Sequence, residues 1–149
     1  AREYSVDLGG VRVQISWMGP TSTRGDTTVF VNDDRVLFSG DVAMDRTFLA
    51  FSSPYSSVQT WLSSFDRMNA LGPTRVVPGH GAMGDARIIG QGRGYLEMLQ
   101  ARVAALKGQG FSSDEAAGAV ANELTAVYPD WASPGRIAQA VTAVYAELR

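Results

Sequence analysis

Histidine occurs once in this chain, as His80, and cysteine does not occur. His80 follows an apolar run and a Pro-Gly turn in the segment 75–81, whose sequence is RVVPGHG. This pattern predicts a short strand with the imidazole in the loop at its end, where chemistry is often carried. An ordinary zinc site requires at least three protein ligands, so this chain cannot complete one through histidine and cysteine. His80 therefore belongs to the remnant of a metal site, to a site shared with another chain, or to the structure of its loop.

A second candidate is Asp41, which closes the segment 37–41, of sequence LFSGD. The pattern predicts a strand that ends at Gly40 and projects the carboxylate of Asp41 from its carboxyl end. If this strand neighbours the strand before His80, the two side chains converge at one edge of a sheet. A carboxylate and an imidazole there can bind a divalent metal ion. Each also has a structural interpretation, Asp41 as a turn or capping residue and His80 as a hydrogen-bonded loop residue.

A third motif is the turn-rich segment 19–27, of sequence GPTSTRGDT. We interpret Asp26 as a structural loop residue whose carboxylate accepts hydrogen bonds from the backbone N–H groups of its own loop. Ser22 and Ser39 have no second histidine to act as a base, so a serine nucleophile is not supported. The sequence therefore assigns no catalytic residue.

The composition limits the class of protein. The 149 residues are 45% hydrophobic, which fits one globular domain. The formal net charge is -2 and the basic residues are scattered, so no nucleic-acid partner is expected. We find no signal peptide and no apolar run that could span a bilayer, so no membrane partner is expected. The absence of cysteine excludes disulfides and thiolate chemistry and is consistent with a cytoplasmic location.

Residues 1–84 are predicted to form a sheet-rich part. Apolar residues alternate on both sides of turn-forming residues, which is typical of hairpins. One later segment instead shows apolar residues at helical spacing, after a serine that can cap the helix. The predicted elements are a hairpin about Gly9-Gly10, a second hairpin over 27–39, a helix from Ser56 or Ser57 to about Leu71, and a strand over 75–77.

Residues 85–149 are predicted to form a helical tail, and neither part of the single unit 1–149 looks independent. The first tail helix ends at Gly108. Ser112 and Glu115 form a capping box for a second helix, which ends near Tyr128. Ser133 is predicted to cap the last helix, with Pro134 at its first position.

The order of these elements, together with the segments DRVLFSGD (34–41) and VVPGHG (76–81), resembles the metallo-β-lactamase superfamily. The similarity is greatest to its hydrolase branch of glyoxalase II-like thioesterases, lactonases and β-lactamases. The resemblance implies an α/β fold of the α+β kind, an αββα sandwich of two similar halves. This chain would be the C-terminal half, a mostly antiparallel sheet with helices on one face and a three-helix C-terminal tail. The implied activity is metal-dependent hydrolysis of an ester, thioester, lactone or lactam.

By the same resemblance, Asp41 would bridge two metal ions and His80 would bind the second, within loops that contain Gly40 and Gly79. Two features depart from the family. The motif His-x-His-x-Asp-His of the first half is absent, and Ser22 stands where the family loop carries a histidine. The resemblance therefore implies a partial, degenerate site, with zinc bound weakly or not at all by the isolated chain.

A half sandwich would leave one apolar sheet face in water, which predicts association. We expect this face to pair with a second copy, as a homodimer, or with a separate chain that carries the first half. Two functions remain open. The chain is either a fragment of a metal-dependent hydrolase, inactive alone, or a non-catalytic, metal-free module that self-associates or pairs with a first-half chain. For the isolated chain, we favour the metal-free module.

Overall fold

A computed structural model describes residues 3–148 of the chain. Over this range, five strands form one mixed sheet in the order β1-β2-β3-β4-β5, with four helices beside it. Strands β1 to β4 are antiparallel, and β5 pairs parallel to β4. The predicted α+β fold, with its mostly antiparallel sheet and three-helix tail, is confirmed. The elements are β1 Glu3–Asp7, β2 Arg12–Gly19, β3 Asp26–Val31, β4 Val36–Gly40, α1 Val58–Ala70, β5 Arg75–Pro78, α2 Arg87–Gly108, α3 Ser113–Val127 and α4 Arg136–Glu147.

The turn residues of the first predicted hairpin explain its geometry. Gly9 and Gly10 have φ angles of 81° and 103°, a region that favours glycine. The Asp7 carboxylate accepts hydrogen bonds from both of their N–H groups, at 2.9 and 2.8 Å. This turn sets the register in which Val6 of β1 lies opposite Val13 of β2.

Helix α1 has the cap that the sequence predicts. The side chain of Ser57 accepts a hydrogen bond from the Thr60 N–H at 3.1 Å. The chain leaves the helix through Gly72, whose φ is 62°, and continues into β5. The buried side chains recur at helical spacing and fix the face that packs on the sheet. They are Val58, Trp61, Ser64, Phe65 and Met68.

The helical tail confirms one predicted cap and corrects another. Ser112 and Glu115 form the expected capping box of α3. The prediction that Ser133 and Pro134 cap and open the last helix is wrong, because α4 follows Gly135 and has no side-chain cap. Ser133 instead takes a left-handed backbone with φ of 63°, since the chain must turn sharply after Ala132 pairs with Thr47.

The two faces of the sheet have different surroundings, although both are apolar. On the inner face, Phe30, Leu37 and Val76 join the buried core with side chains from the helices. The opposite face, here called the open face, presents a row of side chains that the strand registers place side by side. None of them belongs to the buried core, and Tyr4 and Phe38 are 66% and 45% exposed. The row is Tyr4, Ile15, Val29, Phe38 and Val77.

Candidate functional site

The sheet topology brings the three sequence motifs to one edge. Strand β3 begins at Asp26, and its antiparallel neighbour β4 ends at Gly40. Strand β5 runs parallel to β4 and ends at Pro78, just before His80. The loops that contain Ser22, Asp41 and His80 therefore leave the same edge of the sheet, as expected for a site carried on a strand scaffold.

Asp41 and His80 face each other at this edge. His80 Nε2 lies 3.4 Å from Asp41 Oδ1, and the two side chains are 54% and 40% exposed. Two donors that each lie about 2.0–2.1 Å from a tetrahedral zinc ion are separated by roughly 3.3–3.4 Å. The spacing of this pair thus suits two neighbouring ligands of one metal ion. The exposed position leaves room for further ligands.

Glycines hold the two loops close together. The Gly79 N–H donates a hydrogen bond of 2.9 Å to the Gly40 carbonyl, which joins the ends of β5 and β4. A Cβ atom on Gly79 would lie 2.5 Å from Asp41 Oδ1 and 3.0 Å from the Gly40 carbonyl carbon, so a side chain at this position would displace the Asp41 carboxylate or separate the two loops. The Asp45 N–H donates to the His80 carbonyl at 3.1 Å, which fixes the imidazole-bearing loop on the loop after β4.

The carboxylate of Asp26 accepts its hydrogen bonds from residues of its own loop. Its Oδ2 atom accepts hydrogen bonds from the Ser22 N–H at 2.5 Å and the Thr23 N–H at 2.9 Å. The hydroxyl groups of Thr21 and Thr23 also donate to this carboxylate. Ser22 is 5% exposed within this network. The geometry is that of a loop anchor, and it leaves the Asp26 oxygens largely satisfied.

The donor set falls short of a complete zinc site. Within residues 3–148, no group of three or more His, Cys, Asp or Glu side chains could hold a metal ion. Asp41 and His80 fit two positions of a tetrahedral shell, and a structural or catalytic zinc site needs at least one more protein ligand. The described residues therefore do not complete the site, and no catalytic step is assigned to them.

One neighbouring region escaped the sequence predictions. A cleft of about 400 Å³ adjoins His80 and is also lined by Arg46, Ser133 and Arg136. Arg136 lies far from His80 along the chain and has no local motif, so only the folding of the tail brings the two together.

Among the described helices, none is long and apolar enough to cross a membrane.

The family can now be identified. A family model for the metallo-beta-lactamase superfamily matches residues 2–80, which is more than half of the chain. The chain therefore belongs to the metallo-β-lactamase superfamily, and the resemblance drawn from its motifs is confirmed. The matched region contains Ser22, Asp41 and His80, the positions that meet at the sheet edge. A search of curated proteins found no match.

Solved structures share this fold at low sequence identity. The metallo-beta-lactamase from Pontibacter korlensis has a TM-score of 0.56 and 20% identity, over 65% of this chain and 46% of that chain. The DIM-1 metallo-beta-lactamase gives a TM-score of 0.56 and 20% identity, over 66% of this chain and 45% of that chain. The sec-alkylsulfatase Pisa1 from Pseudomonas sp. gives 0.69 and 13%, over 99% of this chain and 26% of that chain. The chain thus spans less than half the length of these relatives, and the sulfatase match includes the helical tail.

Proposed function

We propose that this chain contributes two metal ligands, Asp41 and His80, to a metal-dependent hydrolase site that a second layer completes. The observation that carries this proposal is the 3.4 Å separation of His80 Nε2 and Asp41 Oδ1 at an exposed sheet edge. Zinc is the metal that the donor types favour. The proposed reaction is hydrolysis of an ester, thioester, lactone or lactam, and the isolated chain is expected to be inactive.

The exposure of the open face supports the proposal that a second layer completes the site. The apolar row of this face lies outside the buried core, with Phe38 45% exposed, and an uncovered patch of this kind favours association. We propose that the layer that covers it is the first half of the family sandwich, which would also bring the motif His-x-His-x-Asp-His. The chain would then be the C-terminal half. The occupant proposed here is that first half, and a homodimer is the alternative outcome of a sedimentation measurement.

A second function is favoured by one observation. Ser22 stands where the family loop carries a histidine, and a serine hydroxyl is a poor zinc ligand. Its loop is also closed by hydrogen bonds to Asp26, at 2.5 Å from the Ser22 N–H. This combination favours a metal-free module that uses the fold for association alone.

Zinc titration separates the two functions. Calorimetry on the single chain should show weak zinc binding that dialysis removes, because two protein ligands leave most of the shell to water. Asp41→Ala and His80→Ala should each weaken this binding at least tenfold. Asp34→Ala removes a carboxylate from the turn between β3 and β4 and should change nothing.

The outcomes are distinct. Equal zinc binding in Asp41→Ala, His80→Ala and the unmodified chain would refute the ligand assignment. Stoichiometric zinc that survives dialysis of the single chain would refute the need for a second layer. No zinc binding in the presence of a first-half polypeptide from a superfamily member would support the metal-free module.

Ser22→His tests the dependence on the missing layer. We expect this change to strengthen zinc binding only when the first-half polypeptide is present, because the restored histidine would complete a site whose other ligands lie there. The same gain in the isolated chain would contradict that dependence.

A further inference from the structure

The cleft beside His80 connects the sheet edge with the helical tail. It has a volume of about 400 Å³, and its walls are the loop after β4, the loop after β5 and the turn before α4. His80 lines this cleft and also lies 3.4 Å from Asp41. A molecule bound at the Asp41–His80 pair would therefore have the cleft as its neighbouring space.

The walls of the cleft are held by backbone hydrogen bonds. The Ala132 N–H donates to the Arg46 carbonyl at 2.9 Å, and the Phe48 N–H donates to the Ala132 carbonyl at 3.1 Å. Phe48 also packs against the rings of Tyr95 and Trp131, with centroids 5.4 and 5.3 Å away. The turn before α4 is thereby fixed on the loop after β4, so the cleft is a preformed feature of the fold.

Two residues on these walls have strained backbones. Arg46 and Ser133 take left-handed conformations, with φ angles of 43° and 63°. Residues other than glycine adopt this region at an energetic cost, and such positions cluster at ligand sites. Both residues line the same cleft. Among the described residues, the third non-glycine residue with a left-handed backbone, Arg35, lies in the turn between β3 and β4, so two of the three line this cleft.

Two arginines line the cleft, and within the described part of the chain Arg136, unlike Arg46, has no carboxylate partner. Its Nη1 atom donates to the Phe48 carbonyl at 3.1 Å and lies 3.9 Å from Met44 Sδ. Among residues 3–148 it forms no ion pair with a carboxylate. A guanidinium group has five N–H donors, so most of them remain for a ligand. Arg136 is also the first residue of α4, where the helix dipole disfavours a positive charge, so its position is not explained by helix stability.

The acidic residues of the cleft limit the charge of a ligand. Asp45 accepts a hydrogen bond from the Ala82 N–H at 3.2 Å and lies 3.5 Å from Arg46 Nε, so it is already engaged. Asp130 is exposed at the rim. These two carboxylates would repel a polyanion. They favour a ligand with a single negative group near the guanidinium.

We propose that Arg136 binds a singly charged oxyanion, a carboxylate or a sulfate ester group, on the substrate that the Asp41–His80 site acts on. This specificity role rests on the proposed function. A planar guanidinium fork can donate two parallel hydrogen bonds to such an oxyanion. The anionic group would sit in the cleft, beside the imidazole of His80, and would select substrates with one negative charge.

Anion titration of the metal-free chain tests this proposal. Acetate and methyl sulfate are added separately at constant ionic strength, and the amide signals of Gly81 and Ser133 are followed by nuclear magnetic resonance. We expect saturable shifts with at least one of the two anions. Arg136→Gln should weaken the binding at least tenfold. Arg87→Gln is the matched control, since the Arg87 side chain is 87% exposed and paired with Asp85.

Arg136→Lys is a second variant that distinguishes a loss of anion binding from a loss of folding. Lysine keeps a donor for the Phe48 carbonyl and the charge but loses the fork, so we expect binding between that of the unmodified chain and that of Arg136→Gln. Equal anion binding in the two Arg136 variants and Arg87→Gln would overturn the proposal, as would the absence of saturable shifts with both anions. The preferred anion then identifies the group as carboxylate or sulfate.

The anion and zinc experiments fail independently. Anion binding is measured without metal, so loss of the Asp41–His80 assignment leaves its result unchanged. If the chain binds the anion but never binds zinc, anion binding by Arg136 is supported and the proposed hydrolase function is refuted. Zinc binding without anion binding would retain the metal site and refute the role of Arg136.

Discussion

The two faces of the sheet differ in what covers them rather than in their chemistry. Leu37 and Phe38 are adjacent in β4, yet Leu37 is completely buried whereas Phe38 is 45% exposed. The helices of the same chain bury the inner face, and the open face lacks an equivalent layer within the buried core. Strands that are apolar on both sides are typical of sheets covered on both faces. The contrast therefore supports the proposal that a second layer covers the open face.

The largest expected effect is a difference in the free energy of unfolding lost when Leu37 and Phe38 are each replaced by alanine. We expect Leu37→Ala to lower the free energy of unfolding by about 2–5 kcal/mol, because it leaves a cavity in the core. Phe38→Ala should cost less than about 1 kcal/mol, since its ring is largely outside that core. Urea unfolding of the two variants provides the measurement. Equal losses would mean that the open face is packed against the chain's own residues.

A charge on the open face should prevent association. Val29→Lys places an ammonium group in the middle of the apolar row, so binding to the first-half polypeptide should weaken at least tenfold, or about 1.4 kcal/mol. Sedimentation velocity gives the affinity. Thr125→Lys adds the same charge outside the sheet, on α3, and should leave the affinity unchanged. Unaltered association in Val29→Lys would show that the partner binds elsewhere.

A smaller loss of stability is expected when the cap of α3 is removed, because this helix lies in the tail and not at the open face. Ser112→Ala removes the side chain that accepts a hydrogen bond from the Glu115 N–H, and it should cost about 1 kcal/mol of unfolding free energy. Thermal or urea unfolding measures this loss. Association through the open face should not change, and a parallel loss of association would contradict the separation of the two faces.

The smallest effect concerns Glu147, which links the end of α4 to the start of α1. Its carboxylate accepts hydrogen bonds from the Val58 N–H at 3.1 and 3.2 Å. Partial burial raises the pKa of Glu147 above its ordinary value of 4.5, so the folded state binds the proton more tightly than the unfolded state. The stabilisation is complete below that ordinary pKa and is lost as the pH rises through the higher folded pKa.

Glu147→Gln keeps an acceptor for the Val58 N–H and removes the charge. We expect this change to abolish that part of the pH dependence and to alter stability at neutral pH by less than about 1 kcal/mol. Unfolding curves between pH 4 and 7, compared with those of the unmodified chain, provide the measurement. An unchanged pH dependence would show that Glu147 has the same pKa in both states.

Much of the fold was predictable because its signals are local. The hairpin about Gly9-Gly10, the Ser57 cap and the Ser112 capping box each depend on a few consecutive residues. The wrong cap at Ser133 shows the limit of such signals. A serine before a proline is a typical helix start, but pairing of Ala132 with Thr47 forces a sharp turn there. A tertiary contact thus overrode a local preference.

The candidate site was predictable in part. Asp41 and His80 each lie in the loop that follows a strand, and the expected pairing of these strands brings the two residues to one edge. Arg136 and its cleft were not predictable, because no periodicity or spacing relates α4 to the loop of His80. The uncovered face was expected from the family resemblance. Its exposure became visible only when the strand registers and the positions of the helices were known.

The sequence by itself determined the elements, the family and the two candidate ligands, because caps, turns and strand-end motifs act over short distances. The tertiary structure alone decided the 3.4 Å spacing of His80 and Asp41, the cleft around Arg136 and the choice of which apolar face is buried. These features depend on contacts between residues distant in the chain. Burial in particular depends on which layer packs against a face, and alternation of apolar residues along a strand does not specify that layer.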